Sequence, residues 1–238
     1  MTAVATSTLE PAVLAALGRV RDPELDESIV ALGFAQAELG DDGSVRIHLR
    51  LPTFWCSPNF AYLMAEDARS AVAAVPGVTS VELRLVDHFA DAAVTAGVNG
   101  DLPFEQAFAG QATEGLAELR SLFARKAFLV RQERLVRELL AGGRSEQEVA
   151  SLRLSDVPES SSGLAAPCLE RRAELGIGCE PGDPLVVTAG GEAVDSDRLP
   201  LFLRQSRLTR ISIETNTVLC TALLAARKHD RPDEEVTQ

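Results

Sequence analysis

The sequence predicts an α+β protein: a small α-β-β-α-β domain with a three-stranded mixed sheet over residues 1–90, followed by a mainly helical C-terminal domain over residues 113–238. Residues 91–112, small and rich in glycine and alanine, are expected to link the two. Three observations lead there. Residues 44–51 alternate strictly, with Val45, Ile47, Leu49 and Leu51 on one side and Ser44, Arg46, His48 and Arg50 on the other. That is the pattern of a strand with one face on a core and one in water. A helical pattern over residues 58–74 separates this strand from a second alternating run at 78–86, and strand-helix-strand implies a right-handed parallel crossover. Beyond residue 113 the apolar spacing turns helical.

Taken in order, residues 9–20 read as a helix with Leu14, Leu17 and Val20 on a shared face. Arg21-Asp22-Pro23-Glu24-Leu25-Asp26-Glu27 is an acidic turn around a proline. Gly33 marks a turn or bulge before a strand at 35–39, and Gly40-Asp41-Asp42-Gly43 is a hairpin turn. Pro76-Gly77 ends the second helix, and Asp87-His88-Phe89 closes the third strand. The longest helical segment runs over 113–140 and stops at Gly142-Gly143. Ser145 and Glu148 have the spacing of a capping box. Ser160-Ser161-Ser162-Gly163 is expected as a flexible break, with a helix at 170–175 and a short strand at 185–187. A further strand is expected at 210–214, a last helix at 218–228, and a polar tail from residue 230.

Charge narrows the partners. Residues 1–100 carry 6 Lys/Arg against 13 Asp/Glu, and residues 101–238 carry 17 against 22. Neither half suits a polyanion, so nucleic acid and anionic membranes are not expected partners. The first residues lack a basic segment followed by an apolar one, and no apolar run approaches membrane-spanning length. A cytoplasmic location follows as the expectation, with Cys56, Cys168, Cys179 and Cys220 as thiols or ligands rather than disulfides. Cys168, Cys179 and Cys220 lack the close pairing of a zinc knuckle. A homodimer is a further candidate assembly.

The loop Leu51-Pro52-Thr53-Phe54-Trp55-Cys56-Ser57-Pro58 joins the best-patterned strand to its helix. Ser57 suits an N-cap and Pro58 the first helical position, which sets Cys56 just outside the positive end of the helix dipole, a place that suits a thiolate. His88 ends a strand parallel to the one that feeds this loop, so topology puts Cys56 and His88 at the same sheet edge, where open α/β sheets place their sites.

Five features, in order, resemble the small metal–sulfur cluster assembly family found in SufT and PaaD. They are Asp22-Pro23-Glu24, the segment Ile29-Val30-Ala31-Leu32-Gly33-Phe34, an alternating strand ending near Thr53, Cys56 three positions on, and Pro76-Gly77-Val78 leading into the closing strand. The resemblance covers residues 1–90. It departs from the family pattern at Trp55, where the family commonly has glycine before the cysteine, and at Ser57, which separates Cys56 from Pro58. The resemblance implies a non-catalytic maturation factor that handles iron or an iron–sulfur cluster transiently. Cys56, Asp22 and Glu24, with His88 added by topology, are the expected metal ligands, and Thr53 and Trp55 belong to the expected interaction surface. It also implies assembly proteins and a client iron protein as partners. PaaD-like members are associated with multicomponent oxygenases, so a diiron oxygenase is a candidate client.

Two other readings compete. One is a metal-free adaptor that docks a chaperone or oxygenase subunit, and the other is a thiol enzyme with Cys56 as nucleophile and His88 as base. A nucleotide-driven enzyme or serine hydrolase is not supported, because neither a phosphate-binding Gly-x-x-x-x-Gly-Lys-Ser/Thr loop nor a Gly-x-Ser-x-Gly elbow is present.

Overall fold

A computed structural model describes residues 3–110 and 115–230. The chain divides into two compact units, Met1–Ala117 with Thr215–Gln238, and Glu118–Glu214. The architecture is the expected α+β one, with a helix and a three-stranded mixed sheet first and a mainly helical region after it.

The first unit begins with α1 (Ala3–Gly18), whose buried stripe is Val13, Ala16 and Leu17, continued by Val20. Leu14, expected on that face, is exposed. It stands one helical step, about 100°, from Val13 and so falls off a stripe spaced i, i+3, i+4, i+7. β1 (Ala35–Leu39) and β2 (Ser44–Arg50) form an antiparallel hairpin, and β2 pairs in parallel with β3 (Ser80–Val86) in the order β1-β2-β3. Gly43 turns the hairpin at φ +82, where a Cβ would also meet the Gly77 carbonyl at 2.7 Å. The alternation of β2 is realised as read: Val45, Ile47, Leu49 and Leu51 are buried, while Arg46 on the other face pairs with Glu38 and Glu82 at 3.3 Å each. α2 (Pro58–Ala73) crosses from β2 to β3 and buries Ala61, Met64, Ala65, Ala68 and Val72.

Residues 91–110, expected as most of a linker, form α3 (Asp91–Asn99) and α4 (Phe104–Ala107) within the first unit; residues 111–112 lie outside the described ones. Val94, Val98, Phe104 and Phe108 join its core. The small residues serve close approach here. A Cβ on Gly97 would stand 2.6 Å from the Ala107 Cβ and 2.9 Å from the Tyr62 hydroxyl.

The second unit is built on α5 (Ala117–Ala141), α6 (Glu146–Ser151), α7 (Ser162–Glu174) and the first part of α8 (Leu199–Asp230). The start expected for the long helix, residue 113, lies outside the described residues. The Ser145–Glu148 capping box forms. The expected break at 160–163 is instead helical, a 3-10 turn at Glu159–Ser161 running directly into α7. Serines cap and start helices as readily as they fill loops. The expected strand at 185–187 is reduced to an isolated bridge, Val187 with Ala193.

The expected strand at 210–214 is also replaced, because α8 runs through it. A five-residue alternation is too short to separate strand from helix. In the helix Ile211 and Ile213 are two steps apart on opposite sides, one exposed and the other buried, and Arg210 reaches Glu214 one turn on at 2.9 Å. Residues 113–238 are therefore not one compact body: α8 passes out of the second unit at Glu214 and its remainder belongs to the first. The expected polar tail, apart from Asp230, lies outside the described residues.

Candidate functional site

The loop between β2 and α2 leaves the sheet edge where β2 and β3 both end. Ser57 occupies the N-cap position and Pro58 the first helical one, but the Ser57 side chain makes no capping hydrogen bond. Its carbonyl instead accepts from the N–H groups of Phe60 and Ala61, each at 3.1 Å. Cys56 is half-buried, and its Sγ lies 3.1 Å from the Thr53 hydroxyl in hydrogen-bond contact. The three-residue Thr-to-Cys spacing closes a tight loop and so brings the two side chains together.

His88 stands at this edge, as topology requires, but it serves the backbone of the cysteine rather than its thiol. Its Nδ1 accepts from the Ala90 N–H at 3.1 Å, so its Nε2 carries the proton and donates to the Cys56 carbonyl at 2.8 Å. Burial pushes its pKa below the ordinary histidine value and keeps the ring neutral. With both nitrogens engaged, His88 fixes the loop. The nucleophile–base pairing that a thiol enzyme requires is not formed here.

Asp22 is buried, and its Oδ1 accepts from the N–H groups of Glu24 at 2.9 Å and Leu25 at 2.8 Å. That closes the acidic turn as an Asx turn. Desolvation outweighs these bonds and pushes its pKa up to about 6. Glu24 is half-buried, and its Oε1 accepts from the Asn216 side chain at 3.3 Å.

The loop also carries an exposed aromatic patch. Trp55 is 75% exposed, Phe54 48% and Phe89 54%. Phe54 meets Trp55 edge-on with ring centroids 6.2 Å apart and lies 6.3 Å from Phe89, which stacks on His88. The Phe89 N–H donates to the Phe54 carbonyl at 3.0 Å, tying the two sides of the patch together. Three large aromatics left in water side by side are a feature of docking surfaces.

α8 supplies what the sequence did not point to. Arg227 donates to the Leu51 carbonyl at 2.7 Å and the Asp87 carbonyl at 2.8 Å, bridging the ends of β2 and β3. Leu224 is buried in the first unit's core, and Cys220 packs against the same core. The helix expected at 218–228 made the spacing 220, 224, 227 readable in the sequence, without position 216. Which partner that face meets was not.

Among the described residues, no three histidine, cysteine, aspartate or glutamate side chains are gathered into a set that could hold a metal ion. Of the four expected ligands, the arrangement offers the Cys56 thiol and the Glu24 carboxylate at half-buried positions, while Asp22 and His88 are engaged in holding the backbone. Cys168 and Cys179 lie in the second unit and Cys220 in the first.

Among the described residues no helix is long and apolar enough to cross a membrane. No curated protein and no solved structure matches the chain. Residues 10–83 match the family model of the iron–sulfur cluster assembly protein. That segment contains Asp22, Glu24, Thr53 and Cys56, and stops before His88 and α8. The likeness read from the ordered motifs is thereby established for residues 10–83, as a likeness to the iron–sulfur cluster assembly family.

Proposed function

We propose that the protein is a cytoplasmic, non-catalytic maturation factor that takes iron or an iron–sulfur cluster as cargo at Cys56 and passes it to a client iron protein docked beside it. The observation that carries this is the pairing of a half-buried, Thr53-bonded cysteine with the exposed patch of Phe54, Trp55 and Phe89, inside and next to the segment that matches the assembly family. A thiol held at the edge of a docking surface can exchange a soft metal with a bound partner. A fully enclosed set of four ligands would retain it. Trp55 stands where the resembled family commonly has glycine, so the indole adds apolar contact area next to the thiol. The SufT/PaaD-like order of motifs supports an iron oxygenase, such as a diiron enzyme, as the client.

Anaerobic reconstitution with ferrous iron and sulfide tests the cargo reading. Wild type is expected to retain iron through desalting, Cys56→Ser to lose most of it, and Trp55→Ala to retain it while losing client capture. Equal iron retention by wild type and Cys56→Ser would defeat this reading in favour of a metal-free adaptor. That second reading draws on the same exposed patch of Phe54, Trp55 and Phe89, which serves docking with or without a cargo.

A further inference from the structure

We propose that Cys220 is the second thiol of this site, and that iron is held between the Cys56 and Cys220 sulfurs. The inference rests on the cargo reading above and adds a ligand from outside the segment that matches the family. Asn216, Cys220, Leu224 and Arg227 follow one another at the spacing of a single helix face. Both ends of that face are anchored within the first unit. Asn216 bonds Glu24 of the acidic turn at 3.3 Å, and Arg227 bonds the carbonyls of Leu51, at the root of the cysteine loop, and Asp87. Leu224, one turn past the cysteine, is buried in the core. Cys220 is therefore carried between the acidic turn and the cysteine loop, half-buried against the same core as Cys56.

Electrostatics records the same neighbourhood. Burial, followed by the charges of Asp22, Cys56 and Glu24, pushes the Cys220 thiol up to about 11. Metal binding requires both thiols to give up their protons, which a bound cation favours. The binding step balances without redox change: one ferrous ion displaces two thiol protons and forms two iron–sulfur bonds. Two thiolates suit iron, and two ligands leave coordination positions for the group that delivers or receives it.

The test uses the reduced full chain under anaerobic conditions, titrated with cobalt(II) as a spectroscopic substitute and then with ferrous iron. Wild type should show a sulfur-to-metal charge-transfer band. Cys220→Ser should keep about half its intensity and bind about tenfold or more weakly, in line with the sensitivity of metal affinity to lost site partners. Cys179→Ser, an exposed thiol of the other unit, should match wild type. Wild-type intensity and affinity in Cys220→Ser, with the band lost in Cys56→Ser, would overturn the second thiol and leave the cargo reading standing. No band in wild type would overturn both. Should Cys220→Ser not fold, dibromobimane on the wild-type chain decides the matter: a bridged Cys56–Cys220 peptide that ferrous iron suppresses supports the pair, and single labelling at each thiol overturns it.

Discussion

In the first unit the buried set is nearly all apolar, with Asp22 and His88 the buried polar residues among those described, whereas the second unit buries Arg131, Gln132, Glu133, Ser161, Arg172 and Ser206. The cause lies in what each must hold. The first packs its helices on a sheet whose ladder already pairs the backbone. The second must secure an irregular run over residues 176–198 that has little ladder of its own. Gln132 of α5 therefore both donates to the Val187 carbonyl at 2.8 Å and accepts its N–H at 3.0 Å, standing in for a neighbouring strand. Arg172 of α7 donates to the Gly178 and Leu185 carbonyls. Where regular pairing is missing, buried polar side chains supply the hydrogen bonds that a burial cost would otherwise demand from water. The carboxylates show the same contrast: Glu133 is buried against the guanidinium groups of Arg137 and Arg210, while Asp22 is held by two backbone N–H groups.

The most damaging test of this contrast is Ile47→Ala in the middle of β2. It should cost about 4 kcal/mol through lost burial and a cavity, read by denaturant unfolding with hydrogen exchange resolved by segment. Protection should fall over residues 35–50 and persist over residues 126–140; equal loss in both segments would show that the units are not separately held. Next comes Asp22. Its folded pKa of about 6 lies above the ordinary 3.8, so the folded state binds this proton more tightly. Its contribution is most favourable below about pH 4, declines between pH 4 and 6, and stays reduced above. Asp22→Asn should therefore flatten that window and be more stable than wild type at pH 8 by up to about 3 kcal/mol. Unchanged pH dependence in the variant would assign the buried acid a counter-charge after all. The smallest effect is expected from Gln132→Leu, about 2 kcal/mol from the stranded polar groups of Val187. It should appear as faster exchange at residues 185–187. A neutral result would mean that apolar packing alone holds the second unit.

How much of this was readable follows the same divide. The faces of β2, the hairpin at Gly43, the parallel crossover and the capping box at Ser145 are local patterns, and each formed where the residues place it. The site was readable as far as its loop: Cys56, Thr53 and the sheet edge shared with His88 follow from spacing and topology. What His88 does there was not, because the choice between thiol and carbonyl depends on a few ångströms of loop path. Arg227, Asn216 and Leu224 were not readable either. The partners of Asn216 and Arg227 lie 140 to 192 residues away along the chain, and helical periodicity names a buried face without naming what covers it. Gln132 escaped for a related reason, since a glutamine within a charged run carries no mark of burial.

The discontinuity of the first unit has a consequence during synthesis. The helix and sheet that carry Cys56 can fold once residues 1–117 have emerged, yet the segment bearing Asn216, Cys220 and Arg227 follows only after the whole second unit has been made. At ribosomal rates of about 5–20 residues per second, that interval is roughly 5–20 s. Through it the cysteine loop stands without its C-terminal cover, and the order of translation makes closing of this sheet edge one of the last folding events of the chain.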